Sequence, residues 1–276
     1  MTRSAKGGAT MPLHFNSITR DSQVPDLLTW ILTNELNNNS IILASADKHY
    51  LHSRTEIIDE ISGDVIGGYI FTLEVSDEEK AIFVKDVDIV FESESSSILR
   101  FLAIRPGSSD SNEYYDVQTA DGAQRLQIET VNRHSVEGEL VGTEQSVHIS
   151  AFPFCVEMFD DMQDLNHRFG FDKEITVHGT DFKVGGFSEH FTAPGGMIVE
   201  EGDDPETYSI MIGTVESVRD VQINLGDITI PFLLVQLDTA LGVIPVAMNR
   251  EVFDIEGIAP GKVIYMSADI KADLAK

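Results

Sequence analysis

The segment Asp47-Lys48-His49-Tyr50-Leu51-His52 carries the residue types of a transition-metal site. Two neutral imidazoles and one carboxylate form the donor set of two-histidine-one-carboxylate centres, which leave coordination positions open for chemistry. On a helix, His49 and His52 would stand at i and i+3 on one face, with Asp47 close by as an oxygen ligand. Asp47, His49 and His52 are therefore the expected metal ligands. The same spacing also fits a solvated loop or helix end, and no further ligand is evident. No catalytic residue and no cofactor is assigned.

Other chemistry is thinner. Gly186-Phe187-Ser188-Glu189-His190 approaches the G-x-S-x-G turn that exposes a nucleophilic serine. His190 replaces the glycine that lets the helix pack closely, so Ser188 reads as a turn residue. His148, His167, His178 and His190 fall in separate expected elements, where a hydrogen-bonded structural histidine is the default. Glu200, Glu201, Asp203, Asp204 and Glu206 offer hard oxygen donors, but their spacing is not that of a calcium loop and Pro205 stiffens it. The one cysteine, Cys155, follows Phe152-Pro153-Phe154 on an apolar stripe and is expected to be buried and inert. A lone cysteine excludes an intramolecular disulfide and a cysteine-based zinc cluster. Neither G-x-x-x-x-G-K-[ST] nor G-x-G-x-x-G occurs, which argues against a nucleotide-hydrolysing or dinucleotide enzyme.

The chain of 276 residues holds 46 acidic and 19 basic side chains, a net charge of −27. A field of that sign repels phosphate backbones and anionic headgroups, so nucleic acid and membrane surfaces are disfavoured partners. No stretch approaches the roughly 18–20 apolar residues of a membrane helix. No apolar signal-peptide core follows Arg3 and Lys6. With the single cysteine, these features point to a soluble cytoplasmic protein. A protein partner or self-association is the expected interaction, since short sheets leave edges to pair.

Two helices are expected to frame the strands. One is capped by Ser22, carries Pro25 in its first turn and stripes Leu27, Leu28, Ile31, Leu32 and Leu36. The other stripes Met158, Met162, Leu165 and Phe169, joined by Cys155 and Phe159, and ends at Gly170. Ile57, Ile58 and Ile61 suggest a short helix over 54–61, although their β-branching also permits a strand. Alternation predicts strands over 67–75 and 87–91, and a buried strand over 98–104. Strands at 115–119 and 125–130 flank Asp121-Gly122 as a hairpin. Short strands are expected at 175–177, 182–184 and 187–191, and the pairs Gly67-Gly68, Gly185-Gly186 and Gly195-Gly196 read as turns and strand breaks.

From Tyr208 onward the turn chemistry changes. Ile210, Ile212, Thr214 and Val215 form a strand that bends at Gly213. Phe232–Thr239 turns at Ala240-Leu241-Gly242 into Val243–Met248. A short helical connection over Arg250–Ile255 precedes Pro260-Gly261 and the strand Lys262–Met266. This order resembles an OB-fold, which implies a five-stranded barrel. Asp269–Leu274 or another part of the chain would supply the fifth strand. OB-folds often hold single-stranded nucleic acid by a basic groove and stacking aromatics. Here Tyr208, Phe232, Phe253 and Tyr265 with Arg219, Arg250 and Lys262 are too few to build one.

The expected fold class is α+β and strand-dominated, with several small antiparallel β modules, two clear helices and a C-terminal OB-like β-barrel. The expected organisation is a mobile tail over 1–11, an N-terminal α+β domain over 12–134, a middle segment with an acidic linker over 135–206, and the barrel domain over 207–276. The leading function is a binding or assembly protein without catalysis. The alternatives are a metal-dependent hydrolase-like enzyme using Asp47, His49 and His52, and a single-stranded nucleic-acid binder using the barrel.

Overall fold

Side-chain alternation of period two organises most of this chain. A computed structural model describes residues 17–19, 28–32, 41–43, 49–78, 80–105, 113–171, 173–178, 180–195, 208–225 and 228–274. Four strands form an antiparallel sheet in sequence order: β1 (Ile41–Leu43), β2 (Tyr50–Ile58), β3 (Val65–Ser76) and β4 (Ala81–Phe91). Strand β2 replaces the short helix expected over 54–61. Thr55 and Ile57 point inward while Glu56 and Ile58 point out, and pairing with β3 satisfies the backbone from Tyr50↔Glu74 to Ile58↔Val65. A helix of that length would have left about half of its backbone groups without an intrahelical partner.

Gly67 and Gly68 lie inside β3 rather than at a turn. A Cβ on Gly67 would stand 2.2 Å from the Val90 carbonyl oxygen, so glycine is what lets β3 and β4 approach there. Lys85 is an extra residue on β4, since Leu73 pairs with Val84 and Thr72 with Asp86. Beyond this bulge one face of β4 presents Val87, Ile89 and Phe91 to a core shared with Tyr69, Phe71, Phe152, Val221 and Phe232. The opposite face presents Asp86, Asp88 and Val90, and Val90 packs on Ile70 and Val131.

The second sheet has nine strands. They are β5 (Ser97–Ile104), β6 (Glu113–Thr119), β7 (Arg125–Thr130), β8 (Glu144–Phe159), β11 (Phe191–Pro194), β12 (Ser209–Leu225), β13 (Ile228–Thr239), β14 (Gly242–Met248) and β15 (Val263–Leu274). β9 (Glu174–Val177) and β10 (Thr180–Lys183) form a separate hairpin. The order is β11-β12-β13-β14-β8-β15-β7-β6-β5, with further pairings of β12 to β15 and β5 to β8. These two pairings return β12 and the end strand β5 to the middle strands, around a core that includes Leu99, Phe101, Tyr115, Ile149, Val235, Ile264 and Ile270. β8 and β15 pair from Val263↔Phe159 to Leu274↔Val147. The sheet draws strands from all three expected segments, and β8 from the middle one lies between β14 and β15. Asp269–Leu274 is the continuation of β15 and not a separate strand.

Helix is scarce. The Met-rich stripe divides: Cys155, Met158 and Phe159 belong to β8, and only α1 (Met162–Arg168) is helical. The ladder from β8 to β15 outweighs the helical spacing of its apolar residues. Asp161 caps α1 by accepting from the Asp164 amide at 2.9 Å, and Gly170 with φ 75° ends it as expected. Cys155 is exposed, contrary to expectation, beside an irregularity in the β8–β15 ladder where Phe154, itself 47% exposed, has no partner in the register. Of the first expected helix, 28–32 are described and helical, and the rest lies outside the described residues. The strand expected over 187–191 begins only at Phe191. The Arg250–Ile255 connection is a set of turns, started by Asn249 accepting from the Glu251 amide at 2.7 Å. Asn249 also donates to the Ile18 carbonyl at 2.8 Å, and Ser17 donates to the Pro153 carbonyl at 2.7 Å. Among the described residues, no helix is long and apolar enough to cross a membrane.

Candidate functional site

Much of the polar face of the four-stranded sheet is buried. Antiparallel register places His52 and Arg54 of β2 beside Thr72 and Ile70 of β3, and Thr72 and Ile70 beside Asp86 and Asp88 of β4. These side chains share one face and pack against β7 and β15. On β15, Lys271 and Asp273 alternate with Ile270 and Ala272, which enter the large core. The result is a charged seam between two apolar cores.

Lys271 is its centre. The side chain is 3% exposed, and its ammonium pairs with Asp88 Oδ1 at 2.8 Å and with Glu129 Oε2. Parallel register sets Lys271 beside Glu129. Burial alone would lower the Lys271 ammonium, but the charges of Asp88 and Glu129 hold it well above the usual lysine range. Burial pushes the Glu129 carboxyl up to about 8, and the Asp88 and Asp86 charges add to the rise that Lys271 opposes. Glu129 Oε1 is buried and makes no hydrogen bond. Asp86, half-buried, completes a group in which one oxygen each from Asp86, Asp88 and Glu129 lies within 4.8 Å of the others.

A second node follows two residues along β15. Asp273 accepts from Arg54 Nη1 at 3.1 Å and from Asn132 Nδ2 at 2.7 Å. Arg54 reaches Glu92 Oε1 at 2.5 Å with its other nitrogen. Burial raises the Asp273 carboxyl above its usual value, against the pull of Arg54 and His148. A third node is aromatic: His52 is fully buried with Nδ1 3.3 Å from Thr72 Oγ1, and its ring stacks on His134. His134 stacks in turn on Tyr50 with centroids 4.2 Å apart.

The expected metal residues are not gathered on a helical face. His49 is exposed just before β2, whereas His52 is buried within it, and residues three apart on a strand point to opposite faces. Asp47 lies outside the described residues, as do Glu200, Glu201, Asp203, Asp204 and Glu206. Ser188 donates to the His190 carbonyl at 3.1 Å within a turn. His190 contacts Asp238 at 3.2 Å, His167 sits on α1, His178 adopts φ 52° after β9, and His148 faces Asp273 across the β8–β15 ladder.

The seam residues were missed at the sequence level, yet a signal was present. Asp86-Val87-Asp88 and Asp269-Ile270-Lys271-Ala272-Asp273 alternate charge with apolar side chains, as strands with one charged face do. No family model matches this chain, and comparison with curated proteins and with solved structures finds no match.

Proposed function

We propose that this protein is a non-catalytic binding or assembly module that receives an extended, positively charged protein segment as an added strand on β4. The observation that carries this reading is one half of that edge, which no strand pairs among the described residues. Ile82, Phe83 and Val84 are 59%, 40% and 38% exposed in succession, at the outer strand of the four-stranded sheet. Three consecutive exposed apolar residues on a sheet edge form a template for strand addition, with main-chain bonds giving affinity and side-chain pockets giving register. The other half of the edge is taken: Ser150 of β8 accepts from the Phe91 amide at 2.8 Å and donates to its carbonyl at 3.3 Å. Beside the first half, a groove lined by His49, Glu74, Asp77, Glu78, Phe83 and Lys85 carries more acid than base. That local excess and the net charge of −27 favour a basic occupant over a second copy of the chain.

In this reading the circuit β12–β13–β14–β8–β15 and back to β12 is the OB-like barrel, with β8 as its fifth strand. It serves as the rigid platform from which β4 projects. A fluorescein-labelled peptide alternating valine with lysine tests the assignment, against its glutamate counterpart. The basic peptide is expected to bind and to shift amide resonances at 81–85. The paired substitution Ile82→Lys, Val84→Lys is expected to weaken it at least ~10-fold. Equal binding by the acidic peptide, or by the paired variant, overturns the reading. A wild-type dimer dispersed by the same variant would replace the basic partner with a second copy.

A further inference from the structure

Lys271 holds an amine between two carboxyls in a place all but closed to water. Its Nζ lies 2.8 Å from Asp88 Oδ1 and bonds Glu129 Oε2, and the side chains of Lys271, Asp88 and Glu129 are 3%, 3% and 7% exposed. All three stand on paired strands rather than loops. Parallel register sets Lys271 of β15 beside Glu129 of β7, and Asp88 of β4 lies beside Ile70 of β3, which packs on Val90 and Val131. An amine and a carboxyl held together by rigid strands, with solvent excluded, are the two halves of an amide at very high effective concentration.

We propose that Lys271 and Asp88 join in a covalent amide, Lys271 Nζ attacking Asp88 Cγ with loss of one water while Glu129 carries the protons. The ion pair is the reactant. Its ammonium passes one proton to Glu129 Oε2, which it already touches, leaving a neutral amine and a neutral acid. Nζ then bonds to Asp88 Cγ as Glu129 gives that proton to an Asp88 oxygen, forming a tetrahedral adduct. A second proton leaves Nζ through Glu129 for the departing hydroxyl, and the C–O bond breaks. One ammonium and one carboxylate thus become one amide and one water, with nothing oxidised or reduced.

Glu129 suits this part. Burial and the nearby Asp88 and Asp86 charges push its carboxyl up to about 8 against the pull of Lys271, and its Oε1 is buried with no hydrogen bond, where a neutral acid costs less than an anion. Asp88 and Glu129 hold the proton on Lys271 against burial, so the reactive neutral pair is a small fraction at any moment and the reaction is slow. Its product replaces a buried ion pair by an uncharged amide, which removes two desolvated charges and leaves little water to reverse the step. The bond forms once per chain and ties the four-stranded sheet to the nine-stranded one across 183 residues of sequence. None of this depends on what occupies the β4 edge.

The test is mass spectrometry of the full chain, denatured and read both intact and after proteolysis. Wild type is expected to weigh less than its sequence by one water and to give a linked pair of fragments joining Asp88 to Lys271. Glu129→Gln keeps the volume and an oxygen for Lys271 but cannot carry protons in and out. It is expected to fold, as judged by circular dichroism, and to form the bond at least ~100-fold more slowly. Lys271→Arg keeps a cation for the carboxyls without the amine and is expected to retain the full mass. A wild-type chain at full mass overturns the proposal. So does a lost water confined to one fragment, which would mark a cyclic imide, or a link from Lys271 to Glu129 in place of Asp88. Bond formation in Glu129→Gln as fast as in wild type overturns the part given to Glu129.

Discussion

Replacing Asp59 by Asn isolates a single buried carboxylate whose energetics follow from its surroundings. Asp59 is fully buried in the turn between β2 and β3, where it docks that turn on β12. Its Oδ1 accepts from the amides of Ile61 and Gln222, each at 3.1 Å, and its Oδ2 from Arg219 at 2.7 Å and Ser62 at 2.9 Å. Burial works to raise its pKa, but these donors prevail and bring it from 3.8 to about 2. With the folded value depressed, the unfolded chain takes up the proton first. The stabilisation is fully present above about pH 5 and is lost as pH falls through 4 towards 2. A shift of just under two units corresponds to about 2 kcal/mol. Urea unfolding followed by circular dichroism at pH 7, 5, 4, 3 and 2 measures it. Asp59→Asn is expected to lower stability by about 2–3 kcal/mol at pH 7. The gap to wild type should shrink by about 2 kcal/mol by pH 2. A remainder can persist, because the amide nitrogen faces Arg219. A gap that stays constant or widens in acid refutes the assignment of charge as the origin of the effect.

Two other substitutions probe the strands that meet at the seam. Gly67→Ala places a methyl group against the Val90 carbonyl oxygen at 2.2 Å, and backbone cannot yield as a flexible side chain can, so a loss of about 2–4 kcal/mol is expected in urea unfolding. Lys271→Met removes the ammonium that buried Asp88 and Glu129 share and is expected to cost about 3–5 kcal/mol, measured the same way.

Local pattern made much of the strand content legible. The β3 and β4 alternations and the Asp121-Gly122 hairpin are where sequence placed them, with Gly122 at φ 74°. The failures share a cause. Ile57 and Ile58, and the Cys155–Phe159 run, have spacings compatible with either period, and only pairing to β3 or β15 decides between them. The charged seam was illegible for a different reason. Asp86 and Asp88 look like a solvated strand face, since nothing near them in sequence announces a second layer on that side. The pairing that buries them joins Glu129 to Lys271 across 142 residues. His49 and His52 drew attention because they lie close in sequence, and strand geometry turns that closeness into separation.

β15 follows every strand it joins in the chain, yet it is bonded to β7, β8 and β12. As the chain leaves the ribosome, β7, β8 and β12 each wait with an unsatisfied flank until the stretch Val263–Leu274 arrives. The waiting strands carry apolar faces and open amides, the combination that recruits neighbouring nascent chains. Closure across such sequence distances is slow. The strong negative charge thereby takes on a kinetic use: like-charged chains keep apart during the interval in which each is incomplete.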